Sequence, residues 1–299
     1  MNDLDTFLEL KSSLLGVAYR MLGSATDAED IVQEAYVRWS QRRPEEIAAP
    51  SAYLTTIVTR LCIDQSRSAR VRRETYKGPW LPEPVELDVP DPGESAELAD
   101  SLSLAFLVLL EELQPVERAV FLLHDVFDYP YGEVAAIVER SEAACRQMVS
   151  RARRRVDAPR RRFDSDAAQG RELTRRFLAA CVTGDLDGLL SLLSSDVVVW
   201  TDGGGKVSAA LRPVTGSRRA ARFLLSVAKR HSEGTSAREV DLNGQPGLVL
   251  EADGQVNTAL TLDVVGGRIV FVRVMRNPDK LVALQPENRL SVTMRQLDQ

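Results

Sequence analysis

The chain has 299 residues, of which 44% are hydrophobic and 27% charged, which is enough for two or three domains with their own cores. Three scattered cysteines (Cys62, Cys145, Cys181) and two histidines (His124, His231) exclude a disulfide framework, a CxxC-type zinc site and a multi-histidine metal site. The formal net charge of −5 is not that of a nucleic-acid binder, but it averages over blocks of opposite sign that set local phosphate contacts.

The start, Met1-Asn2-Asp3-Leu4-Asp5, lacks the basic beginning of a signal peptide, and no apolar run approaches the ~20 residues of a membrane span. A cytoplasmic chain without a cofactor is expected. Residues 1–75 read as helices. Ala28, Ile31, Val32, Ala35, Tyr36 and Trp39 form one apolar face, which leaves Asp30, Gln33, Glu34 and Arg38 on another. After a loop from Arg42 to Pro50, Leu54, Ile57, Val58, Leu61 and Cys62 repeat the helical pattern, with Ser51 as the expected N-cap. This helix ends in a basic segment. From Arg60 to Arg73 five arginines stand against Asp64, a local charge of +4.

Residues 76–100 form an extended acidic linker. Trp80-Leu81-Pro82-Glu83-Pro84 cannot be helical, because proline removes amide donors and restricts the residue before it. Seven acids and no base lie between Glu83 and Asp100. Trp80 either packs on the nearest domain or serves as a docking point for another.

Residues 101–157 return to helix: one from Leu102 to Leu113, one through Val116, Ala119, Val120 and Leu123, a short one from Gly132 to Val138, and a fourth capped by Ser141. Nine arginines between Arg140 and Arg162 stand against two acids, a local charge of +7. Two short helices with the second arginine-rich read as a helix-turn-helix. Ala144, Met148 and Ala152 are expected to pack inward. Glu142, Arg146, Gln147, Ser150, Arg151, Arg153, Arg154 and Arg155 remain for the outer face, where Arg, Gln and Glu suit base edges and the later arginines suit phosphates. The alternative is a solvated basic helix, or one bound to the acidic linker. The turn carries Glu139-Arg140 where a glycine is common, so either the turn is built differently or one residue bears a strain of about 1–2 kcal/mol.

A polar linker at 158–170 leads into α+β grammar over 171–299. Helices are expected at Leu173–Val182, Leu186–Leu193 and Arg218–Lys229. Strands are expected at Asp196–Thr201, Gly247–Glu251, Val256–Val265 and Arg268–Met275, with turns at Asp253-Gly254 and Gly266-Gly267. This predicts a cone with a curved antiparallel sheet and an internal pocket. Asp202-Gly203-Gly204-Gly205-Lys206 follows a strand and reads as a hairpin turn or as a loop touching the helical domains; it is not a phosphate-binding Walker loop. Asn277-Pro278-Asp279-Lys280-Leu281 follows the last strand, ended by Pro278. Trp200 is a candidate pocket residue, His231 an exposed helix end, and Asp263 a strand residue expected to face solvent.

The segments DAEDIVQEAYVRW, AYLTTIVTRLCIDQSRSARVRRE and SEAACRQMVSRARRRV, in this order and spacing, resemble extracytoplasmic-function sigma factors of bacterial RNA polymerase, over about residues 1–157. The resemblance implies a fold of two all-α domains, region 2 at 1–75 and a region 4 helix-turn-helix at 101–157. It implies that Asp30, Gln33, Glu34 and Arg38 dock on core polymerase. Arg60, Asp64, Arg67, Arg70, Arg72 and Arg73 would serve the −10 element, and the outer face of the last helix the −35 element. WLPEP, DGGGK and NPDKL together resemble the subgroup with a fused SnoaL-like domain, similar in fold to polyketide cyclases. That makes Trp80, Leu81, Pro82, Glu83, Pro84, Asp202, Gly203, Gly204, Gly205, Lys206, Asn277, Pro278, Asp279, Lys280 and Leu281 an interdomain regulatory set. The expected partners are core RNA polymerase and promoter DNA, with a small-molecule ligand for the C-terminal pocket, no membrane, and a monomer when free. A stand-alone helix-turn-helix regulator leaves residues 1–75 idle. An enzyme needs a pocket acid or base, for which Asp263 is the candidate.

Overall fold

The computed structural model describes residues 3–42, 47, 49–88, 101–160, 167–230, 234–286 and 292–293. The chain divides into two units: Met1–Thr75 with Phe106–Pro159 and the C-terminal Val292–Gln299, and Tyr76–Ala105 with Arg160–Ser291. No described helix is long and apolar enough to cross a membrane.

In the first unit, α1 (Asp3–Leu22), α2 (Ala25–Ser40) and α3 (Pro50–Glu74) pack on one another. The predicted stripe of α2 is buried at Ala28, Ile31, Val32, Ala35 and Trp39, because residues three and four apart share a helix face. Ser24 caps α2 by accepting from the Asp27 amide. In α3, Leu54, Val58 and Cys62 are buried, as their spacing requires. The expected cap at Ser51 is corrected: α3 starts at Pro50, and Ala49 carbonyl accepts from the Tyr53 amide. Proline suits the first helical position, where its missing N–H is an orphan in any case.

The later helices of this unit are α4 (Leu104–Leu110), α5 (Pro115–Phe121) running into a π-helical turn at Leu122–Val126, α6 (Tyr131–Val138) and α7 (Glu142–Arg160). Arg20 and Arg118 are buried within it. Arg20 Nη1 donates to Gly16 carbonyl at 3.2 Å; Arg118 Nε donates to Arg20 carbonyl at 2.9 Å, and Arg118 Nη1 to Glu111 at 2.5 Å. Buried charges persist where they are paired and hydrogen-bonded.

In the second unit, α8 (Ala167–Thr183), α9 (Leu186–Leu192) and α10 (Ser217–Arg230) accompany a six-stranded sheet. The strands are β1 (Leu193–Asp202), β2 (Val214–Thr215), β3 (Thr235–Leu242), β4 (Gln245–Ala252), β5 (Gln255–Val265) and β6 (Arg268–Met275), in spatial order β2-β1-β6-β5-β4-β3. Leu173, Phe177, Leu189, Val197, Val199, Leu248, Leu262 and Val272 belong to its core, where the helices meet one face of the sheet. This is the expected α+β domain, helices packed on a mixed sheet.

The sheet departs from the antiparallel expectation at one join, since β1 runs parallel to β6, with Val199 opposite Val272. Tight turns dictate antiparallel pairing only between consecutive strands, and β1 and β6 are separated by α10 and four strands. Strand β3 was not foreseen. Its sequence Thr-Ser-Ala-Arg-Glu-Val-Asp-Leu is charged and mostly half-buried or exposed, as an edge strand tends to be. The β3–β4 turn is Asn243-Gly244, with both φ positive like the predicted turns at Asp253-Gly254 and Gly266-Gly267; such residue pairs suit a two-residue hairpin.

Two expected orientations are corrected by strand alternation. Val197 and Val199 lie in the core, so Trp200 points to the opposite face and does not line the cavity described below. Leu260, Leu262 and Val264 lie in the core, so Asp263 points the other way. It is not solvated there: it is about 1% exposed and ion-paired with buried Arg273, which lies over the Phe271 ring. His231 falls outside the described residues.

Candidate nucleic-acid interface and linker clamp

The turn between α6 and α7 is made by Glu139 in the left-handed region (φ +54°, ψ +52°), so a non-glycine residue does bear this conformation. The Arg140 amide bonds back to Ala135 carbonyl, and Ser141 Oγ caps α7 by accepting from the Ala144 amide at 3.2 Å. The buried seam of α7 is Cys145, Val149, Ala152 and Val156. Of the three residues expected inward only Ala152 is fully buried, and Ala144 and Met148 sit at the seam's border, about one residue round the helix.

All eight outward residues of the sequence analysis are exposed: Glu142, Arg146, Gln147, Ser150, Arg151, Arg153, Arg154 and Arg155. Arg146 pairs with Glu142 at 2.6 Å and lies 5.0 Å over the Tyr131 ring. The next turns rest on acids of the same unit. Arg153 bonds Asp125 with two nitrogens at 2.7 and 3.0 Å, and Arg155 and Arg151 flank Glu117 at 3.0 and 3.6 Å. Asp125 and Glu117 thus orient the arginine row, which the spacing of α7 alone did not reveal.

On α2, Asp30, Gln33, Glu34 and Arg38 are exposed along one face, with Arg38 and Glu34 2.5 Å apart. On α3, Asp64 and Arg67 form an exposed pair at 3.1 Å. Arg60 is instead engaged within the unit: its Nε donates to Ile137 carbonyl at 3.0 Å and its Nη2 lies 3.0 Å from Glu139. Arg70, Arg72 and Arg73 lie on the α3 backbone, and their side chains fall outside the described residues.

The three short motifs of the second unit converge on one carboxylate. Asp202, at the end of β1, is fully buried. It accepts from Tyr76 hydroxyl (2.5 Å), Leu81 amide (2.9 Å), Gly204 amide (3.0 Å) and Lys280 Nζ (2.8 Å). Lys280 Nζ also donates to Leu81 carbonyl at 2.5 Å and lies over the Trp80 ring at 4.2 Å and the Tyr76 ring at 5.0 Å. Asn277 Nδ2 donates to Tyr76 hydroxyl at 3.0 Å. WLPEP is therefore held to the C-terminal domain by DGGGK on one side and NPDKL on the other. Leu81, Pro82 and Pro84 are buried there, Glu83 is half-buried, and Leu281 is buried beneath. Burial and the Asp202 carboxylate push the Tyr76 phenol up, which keeps its hydroxyl a donor.

The glycine run has a steric reason. A Cβ on Gly203 would strike Val207 carbonyl and Ala209, and one on Gly204 (φ +60°) would strike the Asn277 amide. The run opens a long connection to β2 and not a tight hairpin turn, since β2 pairs with β1 only from Val214. Lys206 and Asp279 pair at 2.5 Å but are both more than half exposed, so this contact adds little. Pro278–Lys280 is a single 3-10 turn that aims Lys280 inward.

Tyr76 was missed by sequence reasoning, as was the continuation of the linker. The Val85 amide donates to Asn243 Oδ1 (3.1 Å), the Asn243 amide to Val85 carbonyl (2.8 Å), and Arg238 forks onto Glu86 at 2.5 and 3.0 Å. The linker thus runs beside edge strand β3, and no local pattern announces such a pairing. Among the described residues no group of three or more His, Cys, Asp or Glu side chains could hold a metal ion.

Residues 6–72 match the family Sigma-70 region 2, and residues 103–156 match Sigma-70, region 4. The fold and these matches define a sigma factor of the sigma-70 class. The ECF RNA polymerase sigma factor SigJ of Mycobacterium tuberculosis is 42% identical over 294 residues, spanning 93% of both chains. The probable ECF RNA polymerase sigma factor SigI of the same species is 32% identical over 280 residues, covering 93% of this chain and 94% of that one. The crystal structure of M. tuberculosis SigJ aligns with a TM-score of 0.74 at 38% identity, covering 93% of this chain and 98% of that chain. The chain belongs to the extracytoplasmic-function RNA polymerase sigma factors.

Proposed function

We propose that this chain carries core RNA polymerase to promoters by dividing the work among three surfaces. The exposed face of α2 (Asp30, Gln33, Glu34, Arg38) docks on core. The basic end of α3, from Arg60 and Asp64 through Arg67, Arg70, Arg72 and Arg73, serves the −10 element. The outer face of α7 reads the −35 element. The observation that supports this most directly is α7, whose buried seam leaves Glu142, Arg146 and Gln147 outward in the first turns and arginines beyond. The reading makes the chain a cytoplasmic monomer until it meets core.

Substitution separates base readers from phosphate holders. Arg146→Ala or Gln147→Ala is expected to relax preference at single −35 positions by about 1–3 kcal/mol each. Arg154→Ala is expected to weaken all promoters alike and to lower the salt slope of binding by about one. Filter binding on a panel of −35 variants at several salt concentrations checks both, and identical behaviour of the three variants would refute the division.

The C-terminal domain regulates initiation through the linker it clamps, and its cavity is offered to a small molecule. In vitro transcription with core polymerase, comparing the full chain with residues 1–165, tests this. Initiation by either form supports the sigma reading, and the ratio between them gives the sign of control. Equal transcription at every promoter would sink the regulatory role.

A further inference from the structure

The second unit holds a cavity of about 1180 Å³ between α8, α10 and the sheet. That is somewhat above the usual range for sites that enclose a small ligand. Its walls are mainly apolar, with Phe177 and Leu178 from α8, Phe223 from α10, and Leu248, Leu260 and Val274 from the sheet. The described lining residues include no carboxylate, imidazole or phenol. Cys181 also lines it, and burial pushes its thiol up to about 12, so it stays protonated and poorly nucleophilic at neutral pH.

Three cations also line the cavity, Arg276 just after β6 and Lys229 and Arg230 at the end of α10. Arg276 Nη1 donates to Ser208 carbonyl at 2.8 Å, which holds it against the loop that follows β1. Arg276 is half-buried. Burial and the like charge of Arg230 both pull its pKa down, so the site disfavours the positive charge it carries. An anion at this place would offset both effects, and a guanidinium suits a carboxylate geometrically.

We propose that the cavity binds an amphipathic monocarboxylate, its hydrocarbon body against the apolar walls and its carboxylate on Arg276 beside Arg230. This rests on the reading of the domain as a small-molecule sensor and names the ligand class. Arg276 adjoins Asn277 of the linker clamp, and the amides of both donate to Asp202 carbonyl at 2.7 and 2.9 Å, so the head-group site and the clamp share one piece of backbone.

The test uses the full chain with cis-parinaric acid, a fluorescent long-chain carboxylic acid, and its methyl ester. Saturable binding is expected, with the acid about tenfold or more tighter than the ester. The double variant Arg230→Gln/Arg276→Gln should erase that preference by weakening the acid and leaving the ester unchanged. Absence of saturable binding, equal affinity of acid and ester, or a preference that survives in the double variant would each overturn the proposal. Transcription by the unliganded full chain is measured beside it. Initiation without acid binding would reject this site and leave the sigma reading standing, whereas binding without initiation would do the reverse.

Discussion

Replacing Lys280 by methionine is expected to cost the linker clamp about 3–5 kcal/mol, because Asp202 is then left as a buried carboxylate without its countercharge. The hydroxyl of Tyr76 and the amides of Leu81 and Gly204 still donate to it, but none is cationic. Methionine is close to Lys280 in length but lacks the ammonium that lies over Trp80 and bonds Asp202, so the loss is electrostatic rather than steric. The measurement is hydrogen exchange at the Leu81 amide in the full chain, which reads local opening of the linker. Protection there should fall by roughly two orders of magnitude or more. Combining Lys280→Met with Asp202→Asn should recover part of the loss, since no unpaired charge remains buried. A double-mutant coupling near zero would show that Lys280 and Asp202 do not act as a pair.

The second large effect is expected at Asp263. Its removal in Asp263→Ala strands the Arg273 guanidinium, about 5% exposed, in the sheet. The pair is imperfectly satisfied already: Asp263 Oδ1 and Arg273 Nε have no further hydrogen-bond partner among the described residues. Loss of one partner of a buried pair costs about 3–5 kcal/mol, while replacing both by apolar groups is often neutral. Urea unfolding followed by tryptophan fluorescence should show Asp263→Ala strongly destabilised, and Asp263→Leu/Arg273→Met near the parent. A change below about 1 kcal/mol in the single variant would mean that the pair is solvated, as surface pairs are. Asp263 lies on the sheet face opposite the core, so it is not an acid or base for the cavity. Its role is structural, and the chain belongs to a family of transcription initiation factors rather than enzymes.

Much of the architecture was legible because helical periodicity is a local property. The buried stripe of α2, the seam region of α7, the Ser141 cap and the turns at Asp253-Gly254 and Gly266-Gly267 depend on residues within a few positions of one another. The eight outward residues of α7 followed from the same geometry. The seam itself was misplaced by about one residue, because Ala144 and Met148 are apolar enough to pass for core while Cys145 and Val149 take that place.

Non-local pairings were not legible. Strand β3 has the charge pattern of a solvated loop and is a strand because β4 returns along it. The parallel join of β1 and β6 is decided by the path of the intervening chain. Asp263 looked like a surface residue until Arg273, ten positions on, was folded against it.

By itself, then, the sequence determined the helical modules, the outward basic face of α7 and the three motifs WLPEP, DGGGK and NPDKL as objects. Short-range sterics, capping and amphipathic spacing are written in adjacent residues. Only the tertiary structure decided that these three motifs are a single site. Asp202 and Lys280 stand 78 residues apart and Tyr76 lies 126 residues before Asp202, so no periodicity links them. They meet because a carboxylate drawn out of water at the end of β1 needs every donor it can find, and the folded chain brings four to it.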